Sequence, residues 1–571
     1  MNLKKGVSGN RNANKMYSFN TSIRVPDKNI EFLKIIKKYE GKLFKNDLRI
    51  QIYKDAISCG ALTPLLMTNV VREKIRKGEA LTEDEMEKVL TDNKPENGFA
   101  GRVGDYIMSL ENQALVQRLG KSKSKYRVRV TDLGNALLED ISNEVDVYTK
   151  AMLALEYGSV IRSSSKNKSI PFLNTIFVIH ELQSLLSDFK GITLYEFGVF
   201  VLTMKNCNYK KIVNEIIKYR EKFNYKEDNS YAYAYLNKND IASYDWETLR
   251  GSRSYADEVL RKFKKTGLIA EKRKFTYRFI SFNKHELDKV ELLLKEYQGY
   301  KWKKFKDADD YFESIETLLL PWESSSANFY QILKSKAEKI HYKLSKDNIT
   351  KEDYDKINRM YYQSVFESND YSQFPYESIV KELQLITKKV SGKSVLEDLQ
   401  EYIRLEWFTT LLLANKFGKK SVKGNLSLDS NGLPVSQAGG NSADIEMESN
   451  QVHYNIEVTT IRDRSQQLNA ETTTVARHMV DEGNKNSLKV RALMIAPFIH
   501  RDTVRYYRFE SKDLGVVILP ITIDMLIKIV EDSKDFIDFD EKICAFCEKM
   551  NQETVEEFQH FVNNYNSGCF L

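Results

Sequence analysis

Apolar positions recur at helical spacing in IEFLKIIKKYEGKLF and LRIQIYKDAI, so the spacing predicts helices over about 30–60. TEDEMEKVL (82–90) reads as a further helix, with Thr82 as its N-cap and acids in the first turn. A helix at about 101–112 follows, then ALVQRL, a basic turn GKSKSK, the alternating YRVRVT, and TDLGNALLED as a new helix. Helix, strand, basic turn and strand is the pattern of a winged helix, in which a helix enters the major groove and the wing touches phosphate. A plain hairpin in a mixed domain has the same pattern. The pattern returns after the helical stretch 171–224, in WETLRGSRSYADEVLRKFKKTGLIAEKRKFTYRFISFN. Arg253, Arg261, Lys262 and Lys265 crowd around its helix and are the candidate DNA contacts of the front half, although a solvated helix face carries the same charges. Residues 284–400 are mostly helical, with charged faces and many aromatic residues.

The pattern changes after Ser394. VLEDLQEYIRLEWFTTLLLANKFG is an amphipathic helix ending at Gly418. DIEME and YNIEVTT alternate as strands around the turn residues SNQ, which predicts a β-hairpin. VRALMIAP and LGVVILPIT are continuous apolar runs, as expected of strands covered on both faces. The expected architecture is multidomain: a mostly helical front with winged-helix-like modules and a helical connector, ahead of an α/β nuclease domain. The expected boundaries are 1–145, 146–290, 291–393 and 394–571. A chain of 571 residues is long enough for three or four domains.

Charge sharpens this division. Residues 401–571 carry 19 Lys and Arg against 25 Asp and Glu, a net −6; with +7 for the whole chain, residues 1–400 hold +13. A basic front suits phosphate, and an acidic rear suits cations. No run of about 18 apolar residues is present, so no membrane span is expected. MNLKKGVSGNRNANK lacks the apolar core of a secretory signal, and five cysteines make no disulfide framework, which fits a reducing cytoplasm. Cys544 and Cys547 form a C-x-x-C without the second pair a zinc site needs, and read as buried thiols. No nucleoside-triphosphate loop or methyltransferase signature is found, so neither ATP nor S-adenosylmethionine is expected.

The candidate chemistry lies in AGGNSADIEMESNQVHYNIEVTT. Asp444 opens the first strand of the hairpin and Glu457 lies in the second, so the two carboxylates can meet on one face. Hard divalent cations take such oxygen ligands, and phosphodiester hydrolysis uses the ion to generate hydroxide near neutral pH. Solvated strand ends would carry the same two acids. Glu406 sits on the apolar helix, where a buried carboxylate needs a cation or a donor; on a solvent stripe beside Arg404 it would need neither. Glu471 opens ETTTVARHMV, where a helix dipole alone would favour an acid. Arg477 and His478 follow on that helix and could face phosphate or simply solvent.

Leu396 to about Ile523 resembles type IIS restriction and nicking endonucleases of the AlwI and BstNBI kind, in the PD-(D/E)xK superfamily. The pieces that carry the resemblance are EWFTTLLLANKFG, AGGNSADIEM, IEVTT, AETTTVARHMV, LMIAPFIHRDT and VILPITI. It implies Asp444 and Glu457 as metal ligands with the Val458 carbonyl beside them, Glu471 as a further acid, Glu406 as the helix-borne acid, and His478 close by. The lysine that the superfamily places two residues after the second acid is Thr459 here. The resemblance implies Mg²⁺, with Mn²⁺ able to substitute, and double-stranded DNA as substrate. One such site cuts one strand, so double-strand cleavage needs a transient homodimer or a small catalytic subunit. A chain without that partner is a nicking enzyme, the large subunit of a heterodimer. A cognate DNA methyltransferase is the expected partner in protecting the host. A non-catalytic winged-helix regulator is the alternative from another class, and it predicts damage at acids that are intact here.

Overall fold

The structure is a computed structural model whose described residues run from Ile23 to Tyr565; the longest internal stretches outside them are 240–254 and 468–487. Arg253, Glu471, Arg477 and His478 lie outside the described residues.

In the front, helices Lys28–Lys38, Asn46–Ser58 and Gly98–Glu111 precede an antiparallel hairpin of β1 (Val116–Leu119) and β2 (Arg127–Val130). Leu43, between the first two helices, bridges to Arg127 and adds a short third extended segment. Thr82 caps the helix Glu83–Asp92 through a capping box: its hydroxyl accepts the Glu85 amide at 3.2 Å, and the Glu85 carboxylate accepts the Thr82 amide at 2.8 Å. The arrangement repeats further along. Helix Pro171–Leu185 leads into β3 (Ile192–Thr193), helices follow, and Tyr255–Lys264 precedes the hairpin β4 (Ile269–Lys274) and β5 (Tyr277–Phe282). These strands form an antiparallel sheet in the order β3-β5-β4.

One continuous hydrophobic core runs from Ile23 to Ile332, and a second from Tyr361 to Val562. The segment expected as a connector contributes to both. Helix Ala308–Glu316 packs into the front core and Tyr376–Thr387 into the rear, while Ser326–Lys339 and Lys351–Ser368 meet around Leu333, Ala337 and Ile357. Their apolar stripes face different partners, which sequence periodicity cannot distinguish.

The rear is built on a five-stranded mixed sheet. Its strands are β6 (Val422–Gly424), β9 (Ile445–Glu448), β10 (Val452–Val458), β11 (Lys489–Ala496) and β12 (Val517–Thr522), in the order β12-β11-β10-β9-β6, while β7 (Ser427–Leu428) and β8 (Pro434–Ser436) form a separate two-stranded arm. β9 and β10 are the expected antiparallel hairpin; β10, β11 and β12 run parallel, with helix Arg501–Leu514 crossing between the last two. On one face, Tyr454 stacks edge-on against Phe536 and Phe539 and donates to Asp540 at 2.6 Å. Period-two alternation places His453, Asn455 and Glu457 on the opposite face. The β7–β8 arm reaches back to the front: Asn431 donates to the Glu271 carbonyl at 2.8 Å, and Ser430 Oγ accepts the Lys284 amide at 2.8 Å.

Candidate active site

Ile456 of β10 stands opposite Ile445 of β9. One step beyond the ladder brings Asp444 level with Glu457. The Asp444 carboxylate accepts the Val458 amide at 2.9 Å, and the Asp444 carbonyl accepts the Asn425 amide at 3.1 Å. The Asn425 side chain donates to the Ala443 carbonyl at 2.6 Å. Asp444 is thus held at both its backbone and its side chain at the point where the chain enters β9. Asn425 was not among the sequence candidates; it follows Gly424, whose added Cβ would press on Thr410 at 2.8 Å. The absence of a side chain at 424 lets β6 lie against the helix Glu401–Phe417.

Glu457 is buried in the middle of the sheet, 7% exposed, between β9 and β11, level with Met494 of β11. Glu406 is 2% exposed on the helix Glu401–Phe417, and its carbonyl accepts the Thr410 hydroxyl at 2.8 Å. The solvent-stripe alternative for Glu406 therefore does not describe this helix. Thr459 occupies the superfamily lysine position: its amide donates to the Ile495 carbonyl at 2.9 Å and its hydroxyl accepts the Ile461 amide at 3.2 Å. That hydroxyl shapes the turn out of β10.

Past the turn lies a polar knot that sequence reasoning missed. Arg462 is 7% exposed. It donates to the Ile386 carbonyl at 2.6 Å, to Glu401 at 3.0 Å and to the Thr460 carbonyl at 3.1 Å. Burial pushes the Glu401 carboxyl up, but Arg462, Lys389 and Arg404 outweigh it and hold the group below its ordinary value. Gln467 is fully buried and donates to the carbonyls of Ile461 and Phe498, while its oxygen accepts the Thr503 hydroxyl at 2.8 Å. No periodicity marks such residues, because their partners are backbone carbonyls of distant loops.

The donor set suits a hard divalent cation. Asp444 engages the Val458 amide through one oxygen, and Glu457 is the residue level with it on the neighbouring strand. Two carboxylates and the Val458 carbonyl are oxygen donors of the kind that could hold a divalent metal ion, with waters completing its shell. Among the described residues, no group of three or more His, Cys, Asp or Glu side chains could hold a metal ion.

The basic helix of the front behaves differently from its sequence. Arg261 is tied to Asp257 at 2.8 Å. Lys262 is 3% exposed, and burial lowers its ammonium to about 8 against the opposing pull of Glu258. Lys265 is 4% exposed and lies 3.4 Å from Glu144. Glu144 also accepts from Gln400 at 2.8 Å and Tyr402 at 3.0 Å, so it joins the front to the rear. Lys262 and Lys265, expected at a DNA surface, are interior. The helix packs against both Glu144–Ala154 and its own hairpin, and a residue count cannot reveal the second partner. Cys547 is buried as expected whereas Cys544 is only half-buried, and burial raises both C-x-x-C thiols.

The match to a family model over most of the chain defines the class as a restriction endonuclease, a type II site-specific deoxyribonuclease. The particular family is that described as AlwI restriction endonuclease: its model matches residues 118–529, and the chain belongs to it. Among solved structures, the chain is similar to the small subunit of the heterodimeric restriction endonuclease R.BspD6I, at 20% identity over 32% of this chain and 96% of that one, with a TM-score of 0.28. It is also similar to restriction endonuclease FokI, at 8% identity over 94% of this chain and 97% of that one, TM-score 0.22. No curated protein matches. No described helix is long and apolar enough to cross a membrane.

Proposed function

We propose that this endonuclease is a type IIS enzyme that reads a short asymmetric duplex sequence with its front and hydrolyses the backbone at a fixed distance outside it with its rear. The observation that supports this reading of the site is the docking of the Asp444 carboxylate on the amide of Val458, the residue after Glu457. Asp444, Glu457 and the Val458 carbonyl would hold Mg²⁺, which neutralises phosphate charge and acidifies water when bound. Glu406, buried on the adjoining helix, would orient groups at the same edge. The family resemblance adds Glu471 and His478 to the site and offers Arg477 to phosphate.

The two helix-and-hairpin units of the front follow the order of winged helices, and the net +13 of residues 1–400 supports phosphate contact there. Arg253 remains a candidate contact. Double-strand cleavage would require a second catalytic domain, supplied by a transient homodimer or a small subunit. Nicking would follow without one, and a cognate methyltransferase would protect the host. Incubating the protein with plasmid and Mg²⁺ and sequencing the ends tests the whole reading. A constant offset between a recurring sequence and the cut is expected; breaks at scattered positions would refute it.

A further inference from the structure

Arg462 sits three residues beyond Thr459 and satisfies three acceptors on three segments at once. The Thr460 carbonyl belongs to the turn leaving β10. The Ile386 carbonyl lies at the end of helix Tyr376–Thr387. Glu401 opens the helix that carries Glu406, little more than one turn further on. A fourth contact fixes the arginine's own backbone: His500 Nε2 donates to the Arg462 carbonyl at 2.7 Å, from the loop after β11. The planar guanidinium offers a rigid fork of donors, which a lysine ammonium cannot reproduce.

The cluster continues into the front. Lys389, at the end of helix Tyr376–Thr387, faces Glu401 and donates to the Cys59 carbonyl at 3.0 Å. Gly60 leaves room for it, since a Cβ there would meet Lys389 Nζ at 2.0 Å. Lys389 thus ties the front module to the end of helix Tyr376–Thr387, and Arg462 ties that same helix end and Glu401 to the turn that follows Glu457.

We infer that Arg462 is a positioning residue for phosphodiester cleavage, holding the backbone after Glu457 against the helix that carries Glu406. The inference rests on the reading of Asp444, Glu457 and Glu406 as the site. Without the guanidinium, Glu401 loses its hydrogen-bond donor and the carbonyls of Ile386 and Thr460 each lose one, so the side chain that ties the turn to the two helices is gone and they are free to separate. A displacement of about 1 Å between reacting groups costs about 100-fold in rate.

The test is single-turnover cleavage from preformed complexes of the full chain over a range of Mg²⁺, with DNA affinity measured in parallel. R462A is expected to cleave about 100-fold more slowly, to need more Mg²⁺ for half-maximal rate, and to bind DNA within about threefold of the natural chain. Added guanidinium ion at low, non-denaturing concentration is expected to restore part of that rate. R462K, which keeps the charge but not the fork, is expected to stay well below the natural chain. Should R462A fail to fold, E401Q replaces it, with about a tenfold loss in rate and unchanged affinity expected. A rate within threefold of the natural chain would overturn the inference, as would a parallel loss of affinity and rate, or an unmoved Mg²⁺ requirement with no rescue. D444A and E457A run alongside. If they cleave normally, the reading of the acids is wrong; if they are dead while R462A is normal, only the role of Arg462 is wrong.

Discussion

Asp444 accepts the amide proton of Val458 at 2.9 Å, so the acid that precedes β9 is fastened to the residue that follows Glu457. This hydrogen bond anchors the Asp444 side chain to the strand that carries Glu457. The acid edge is therefore built into the hairpin, and the mutational predictions follow from that geometry.

Asp444→Asn keeps an acceptor for the Val458 amide while removing the charge. Cleavage is expected to fall by about three orders of magnitude or more, with DNA affinity within a few-fold. Glu457→Gln is expected to behave alike. Loss of binding together with cleavage in a folded variant would refute the division between a reading front and a cutting rear.

Metal dependence is the second expectation. EDTA should stop cleavage, Mg²⁺ and Mn²⁺ should restore it, and Ca²⁺ should support binding without cutting, because it prefers longer and looser oxygen coordination. Full-rate cleavage in EDTA by single-turnover assay would remove the metal role of both acids.

Lys262 provides a test of the interior reading. Lys262→Met is expected to leave the dependence of DNA affinity on salt unchanged, whereas loss of one phosphate contact would lower the slope by about 0.9. Its melting temperature is expected to hold or rise, since burial already disfavours the charged amine. A shallower salt slope would return Lys262 to the DNA surface.

Glu156 predicts a pH effect on stability. Burial raises its carboxyl to about 7, outweighing the opposing pull of Ser159 and Trp302. The folded state holds the proton to higher pH than the unfolded chain, so this group's contribution is full below the ordinary 4.5 and is lost as pH rises through about 7. Glu156→Gln should therefore gain about 1–3 kcal/mol relative to the natural chain at pH 8, with little gain below pH 4.5. Equal effects at both pH values in thermal melts would contradict the burial of this carboxyl.

The sequence by itself determined the local elements and offered the candidate acids. The alternation of DIEME and YNIEVTT became β9 and β10, the two apolar runs became β11 and β12, and Thr82 became a cap, because each depends on residues a few positions apart. Tertiary structure decided which charges face water. Lys262 and Lys265 carry the composition of a DNA-binding helix, yet a second packing partner turns them inward. Only the fold could bring Arg462 to Glu401 and Ile386, residues 61 and 76 positions away along the chain. Short-range pattern fixes backbone propensity, while burial and long-range hydrogen bonding depend on surfaces that exist only once the chain has packed.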